Sequence, residues 1–204
     1  YKFNMGSKDL RKRKIWQDYS GENALQAEKD FYSTFQNHFL SSSFEVRSKP
    51  KEFSEVYVHY PLEDEVLKEI FQPKDPIKKH GISPDYAIDN KITGKTLYVE
   101  VKRQDGWVEG GQRKDGRGNA HERSCKFFTP GLISLLRDKG GIENFESLPF
   151  WVVFIGNITR DPCRVREVSF WYQGFDDHFF MWRNQSEPEQ LLKHFDNKLR
   201  KLLE

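Results

Sequence analysis

Apolar and polar positions along the chain fall into blocks of two periods, and together they predict a mixed fold. Between residues 22 and 40, Ala24, Ala27, Phe31, Phe35, His38 and Phe39 recur at helical spacing, which predicts a helix capped by Ser20 or Gly21. Leu62 to Phe71 predicts a short second helix after Pro61, ended by Gln72-Pro73. The period then changes. Pro84 to Ile88 predicts a strand, Asn90 to Lys95 a hairpin loop containing Gly94, and Thr96 to Lys102 a second strand of clear alternation. Gly106 to Gly118 is rich in glycine and charge and reads as a long loop, and Asn119 to Gly140 carries a helical pattern interrupted at Pro130. Pro149 to Ile155 is wholly apolar, as a central buried strand would be. Asp161-Pro162 is a helix start, and Val165, Val168 and Tyr172 share one face of the helix it opens. Phe179 to Arg183 predicts a further strand, and Pro188 to Leu203 an amphipathic closing helix. The expected architecture is α/β, a mixed central β-sheet flanked by helices. It forms one domain over residues 1–204, with residues 1–14 as a flexible basic N-terminal arm.

Composition narrows the class. A chain of 204 residues with 31% charged and 15% aromatic side chains can build one globular core. The net charge of +2 barely favours a polyanion, so any nucleic-acid reading must rest on local charge. Lys8 to Lys14, with Arg11, Lys12, Arg13 and Lys14 in a row, is one basic stretch. Lys102 to Lys126, with seven Lys or Arg against four Asp or Glu, is another. No apolar run reaches the roughly 18 residues of a membrane span, and no signal peptide is visible. Cys125 and Cys163 form no framework and are expected to be free thiols in a bacterial cytoplasm. Met5 is expected to be the natural start, leaving Tyr1 to Asn4 outside the native reading frame.

The candidate chemistry lies between Ser83 and Lys102. On an alternating strand Glu100 and Lys102 share one face, their Cα atoms roughly 6.5–7 Å apart, while Leu97, Val99 and Val101 face the other way and can be buried. If the hairpin closes through Asn90–Lys95, Asp85 comes alongside Glu100. Two carboxylates and an ammonium at one point suit phosphodiester cleavage. Hard oxygen ligands hold Mg²⁺ together with a substrate phosphate, and a lysine can position the attacking water or stabilise developing charge. Asp85 and Glu100 are the candidate metal ligands, the Val101 carbonyl could complete the shell, and Lys102 is the third catalytic candidate. A surface salt bridge on an edge strand would show the same pattern.

Pro84-Asp85, Glu100-Val101-Lys102 and the segment Val101 to Gly110 resemble the PD-(D/E)xK nucleases. The second motif, Gly116-Arg117-Gly118-Asn119-Ala120-His121-Glu122-Arg123-Ser124-Cys125-Lys126, is similar within that family to type II restriction endonucleases. The likeness extends from the first helix to the C-terminus and fits least well over Gly111 to Asp115. It implies cleavage of CAATTG after the first C, a four-base 5′ overhang, a homodimer and a cognate DNA methyltransferase in the same cell. It also implies that Asn119, Ala120 and Arg123 read the inner AATT and Arg117 the outer C·G pair.

The residues of that second motif make sense by themselves. Arginine reads guanine O6 and N7, asparagine reads adenine N6 and N7, and alanine packs on a thymine methyl. Gly116 and Gly118 allow close backbone approach to base edges. Phosphate contacts by Arg117 and Arg123 are the alternative. Glu122 is expected to orient an arginine, since a carboxylate near phosphate is repelled. His121 is expected to pack, and Trp107 to be buried. Glu28 could reach the active site from the first helix, although a solvated helix position is the commoner case. A palindrome has two-fold symmetry, so cutting both strands of the double helix calls for a C2 dimer. Leu132, Ile133, Leu135 and Leu136 are expected to supply part of its interface, unless they form an ordinary core helix. The rival functions are a repair or structure-specific nuclease on the same fold and a non-catalytic DNA-binding module.

Overall fold

The computed structural model describes residues 6–113 and 118–204, with side chains from residue 22 onward. Its centre is the predicted hairpin. β2 (Tyr86–Asn90) and β3 (Thr96–Arg103) pair antiparallel in the register Tyr86↔Val99 to Asp89↔Thr96. The turn closes on itself: Asn90 N–H donates to the Lys95 carbonyl at 2.9 Å and Gly94 N–H to the Asn90 carbonyl at 2.8 Å. Gly94 takes φ 73°, a left-handed conformation that disfavours a side chain.

β1 (Phe44–Ser48) lies antiparallel outside β2, an element the apolar pattern did not announce. β4 (Phe150–Ile155) runs parallel to β3, and β5 (Phe179–Trp182) parallel to β4. The strand order in space is the order along the chain. Parallel neighbours need long crossovers. The first runs through a 3₁₀ segment (Ala120–Phe128) and α3 (Pro130–Gly140), the second through α4 (Pro162–Trp171). Pro162 opens α4, and Asp161 caps it by accepting the N–H groups of Cys163 and Arg164. A short α2 (Asp64–Glu69) stands in the β1–β2 connection.

α1 (Gly6–His38) is longer than expected. Its helical backbone passes through Ser20 and Gly21, which therefore do not cap it, and takes in residues 6–14 of the expected arm. A serine or glycine inside a helix costs only about 0.5–1 kcal/mol against alanine, too little to stop one this long. The closing helix keeps its predicted span but changes pitch, from α5 (Glu189–His194) through a π turn (Phe195–Leu199) to a 3₁₀ turn (Arg200–Leu202).

The sheet is covered on both sides. One face carries Leu97, Val99, Val101 and Val153 against Phe31 and Phe35 of α1 and Phe195 and Leu199 of the closing helix. Trp151 sits among them, its ring meeting Phe35 edge-on at 5.9 Å between centroids. The other face carries Ala87, Tyr98, Val152 and Phe154 against Phe53, Phe127, Leu136, Val168 and Tyr172. Glu100 and Lys102 follow Tyr98 on this second face, so the catalytic candidates emerge where its apolar cover ends. Among the described residues no helix is long and apolar enough to cross a membrane.

Candidate active site and reading head

The register Tyr86↔Val99 carries Asp85, one residue before β2, to the flank of Glu100. Asp85 N–H donates to Glu100 Oε2 at 3.3 Å, and Val101 N–H donates to Asp85 Oδ2 at 2.9 Å. Lys102 Nζ lies 2.5 Å from Glu100 Oε1, 3.5 Å from Asp85 Oδ2 and 3.3 Å from the Val101 carbonyl. The two carboxylates, the carbonyl and the ammonium thus share one point, and Lys102 turns away from the valines. Asp85 and Glu100 are both buried. Burial pushes the Glu100 carboxyl above the usual carboxylate range, Lys102 opposes that shift, and neighbouring Asp85 adds to it.

A second lysine reaches the same carboxylates, and the sequence reading missed it. Lys49 Nζ lies 2.6 Å from Asp85 Oδ1 and 3.1 Å from Glu28 Oε2. Its main-chain N–H also donates to the Asp85 carbonyl at 2.9 Å. Burial lowers the Lys49 pKa, but the contacts to Asp85 and Glu28 outweigh it and leave the ammonium above its ordinary range. Glu28 therefore does come to the site from α1, through Lys49 rather than directly. The only signal for Lys49 was positional. Had Phe44 to Ser48 been recognised as a strand paired with β2, the residue after Ser48 would fall beside Asp85.

The donors are hard oxygens suited to a small divalent cation. Among the described residues no three His, Cys, Asp or Glu side chains converge. A cation here would take Asp85, Glu100 and the Val101 carbonyl, and fill the rest of its shell from water and phosphate. The strained electrostatics of Glu100, and the two ammonium groups drawn onto the carboxylates, fit a place built for positive charge. A polar cavity of about 520 Å³ lined in part by Asp177, His178 and Lys198 contains none of these residues.

The reading head, Arg117 to Arg123, begins 15 residues after Lys102. Asn119 and Arg123 are exposed and Gly118 and Ala120 partly so, while Arg117 and Gly116 lie outside the described residues. Asn119 Nδ2 donates to Glu122 Oε2 at 3.1 Å. His121 is the anchor beneath them. Its ring is buried, stacks on Trp171 at 5.4 Å, contacts Gln104 Oε1 at 2.8 Å through Nδ1, and faces Glu167 Oε2 at 3.2 Å through Nε2. The loop between strand and head is pinned where Asn157 Nδ2 donates to the Gly106 carbonyl at 2.6 Å. Trp107, expected to be buried, is only partly so, with Arg113 5.1 Å above its ring.

One expectation is corrected. Leu132 and Leu136 are buried in the core beside Tyr98 and Phe150, so they cannot supply a subunit interface. Helical spacing turns them towards the sheet and leaves Ile133 and Leu135 only partly covered. Cys125 and Cys163 are exposed free thiols.

A buried aspartate and glutamate with a partly buried lysine on a hairpin of a mixed five-stranded sheet, and an Asn-Ala-x-x-Arg head following in the chain, are the features of a type II restriction endonuclease. The comparisons with known proteins agree. The family model described as type II restriction enzyme MunI matches residues 5–204. The type II restriction enzyme MunI of a Mycoplasma species is 49% identical over 202 residues, 98% of this chain and 100% of that one. The crystal structure of MunI restriction endonuclease in complex with cognate DNA matches with a TM-score of 0.80 at 49% identity, over 93% of this chain and 97% of that one. The chain belongs to the MunI family of type II restriction enzymes. That membership decides against the repair-nuclease and non-catalytic alternatives.

Proposed function

We propose that this enzyme binds double-stranded DNA as a C2 homodimer and, with Mg²⁺, cuts CAATTG after the first C, leaving 5′-phosphate ends with AATT overhangs. The observation that carries the chemistry is the convergence of Asp85, Glu100 and Lys102 at one buried point. Asp85, Glu100 and the Val101 carbonyl would hold the cation. When bound, it neutralises charge on the phosphoryl oxygens and lowers the pKa of a water. Lys102 orients the attacking water towards the phosphorus and stabilises the charge that builds as the P–O3′ bond breaks. Asn119, Ala120 and Arg123 read the inner AATT from the major groove, and Arg117 reads the outer pair. The relative whose structure contains cognate DNA supports duplex binding by the same fold. The two exposed thiols fit a reducing bacterial cytoplasm.

The test is to sequence the ends of plasmid fragments made with purified protein and Mg²⁺. Ends at C^AATTG with four-base 5′ overhangs are expected. Ends at another hexamer would overturn the specificity, and blunt or 3′-overhanging ends the proposed geometry.

A further inference from the structure

Lys49 and Lys102 do not sit on the carboxylates in the same way. Lys102 comes from the catalytic strand and its side chain is only 16% exposed, whereas that of Lys49 is 50% exposed and lies on the solvent side of Asp85. Lys49 follows the last residue of β1, Ser48, which pairs with Tyr86. It grips Asp85 at both ends, main-chain N–H to carbonyl at 2.9 Å and ammonium to Oδ1 at 2.6 Å. It does so at φ 47°, and among the described residues it is the one non-glycine with a positive φ. A side chain is disfavoured there, so the position is maintained by what surrounds it. Asp85 Oδ2 is held separately, by Val101 N–H at 2.9 Å.

We infer that Lys49 is a positioning residue, a built-in countercharge that occupies Asp85 while DNA is absent and transfers to a backbone phosphate when the duplex arrives, freeing Asp85 Oδ1 for a divalent cation. This rests on the nuclease reading above. An oxygen 2.6 Å from an ammonium meets a dication only against repulsion between the two positive charges. A phosphate offers the exposed ammonium another partner. Cation and duplex therefore strengthen each other's binding.

The experiment is calorimetric titration of the DNA-free protein with Mn²⁺. Lys49→Gly removes the ammonium and suits the left-handed backbone, so the variant keeps its fold. Lys49→Gln is a second variant, and Lys49→Arg keeps the charge. Because Val101 still holds Asp85, Lys49→Gly and Lys49→Gln should bind Mn²⁺ roughly tenfold more tightly than wild type, and Lys49→Arg about equally. The slope of log affinity for duplex against log salt should fall by about one in Lys49→Gly, reflecting one lost phosphate contact. Mn²⁺ affinity unchanged or weakened in folded Lys49→Gly overturns the role of Lys49. Asp85→Asn separates the two readings. Loss of Mn²⁺ binding there without tightening in Lys49→Gly removes Lys49 alone, whereas wild-type binding in Asp85→Asn removes the metal site itself.

Discussion

Gln104 Oε1 accepts both the main-chain N–H of His121 at 3.3 Å and its ring Nδ1–H at 2.8 Å. Gln104 stands two residues beyond Lys102, and His121 stands inside the reading head. One buried amide thus joins the strand proposed to cut to the segment proposed to read. His121→Ala and Gln104→Ala should each lower stability by about 2 kcal/mol, the cost of leaving buried polar partners unmet. Each should also narrow the ratio of cleavage rates between the cognate hexamer and a site changed at one base. The double variant should cost less than the sum, with a coupling of at least about 0.5 kcal/mol in a denaturation cycle. Strict additivity would mean that the two residues do not act as a unit.

At the proposed catalytic point two substitutions should differ in stability and agree in activity. Glu100→Gln removes a buried charge while Lys102 keeps Asp85 as a partner, so its unfolding free energy should stay within about 1 kcal/mol of wild type. Lys102→Ala leaves two adjacent buried carboxylates, of which Lys49 pairs with Asp85 alone, and should cost about 2 kcal/mol. Both should slow plasmid cleavage by at least roughly a thousandfold. Thermal unfolding and a gel assay on the same preparations separate the two effects, and cleavage surviving in both variants would remove the site.

Specificity should divide by residue. Asn119→Ala and Arg123→Ala should lose about 1–3 kcal/mol of discrimination at the inner positions, and Arg117→Ala as much at the outer pair. Competition binding against single-base variants of the site measures this. A uniform loss across all sequences for either arginine would instead identify a phosphate contact.

Acid should destabilise the protein through His178. Its imidazole is buried, donates from Nδ1 to the Phe150 carbonyl at 3.0 Å and accepts Leu148 N–H on Nε2 at 3.2 Å. Protonation would set two N–H groups against each other, and burial pushes the pKa down to about 4 from 6.5. The unfolded chain then binds the proton more readily than the folded one between those values. Stability is full above pH 6.5 and is lost as pH falls towards 4, by about 3 kcal/mol. Urea midpoints measured across that window should slope for wild type and flatten in His178→Gln.

Much of this was legible because it was local. The alternation from Thr96 to Lys102 fixed which side chains share a face, and the glycine-bearing loop fixed the partner strand, so Asp85 could be set beside Glu100 from the chain alone. The apolar run Pro149–Ile155 pointed to an interior strand, and Phe150–Ile155 forms one. β1 escaped because its pattern, Phe44 and Val46 between Glu45 and Arg47, is too short to stand out among serines. With it escaped Lys49, whose approach to Asp85 exists only through strand pairing. The start of α1 escaped for a different reason. Its first half has no apolar period, and a polar helix leaves no such trace. The leucines of α3 carried the right period but could not say what they faced.

The hairpin has a kinetic consequence. Asp85 and Glu100 are joined by one tight turn, and a hairpin of this kind closes in about 1–10 μs. The β3–β4 pairing, by contrast, must wait for a crossover of some 46 residues, Gln104 to Pro149, to be organised. The nascent chain can therefore bring its two acids together early, whereas the segment proposed to read the target lies inside that crossover and is organised later.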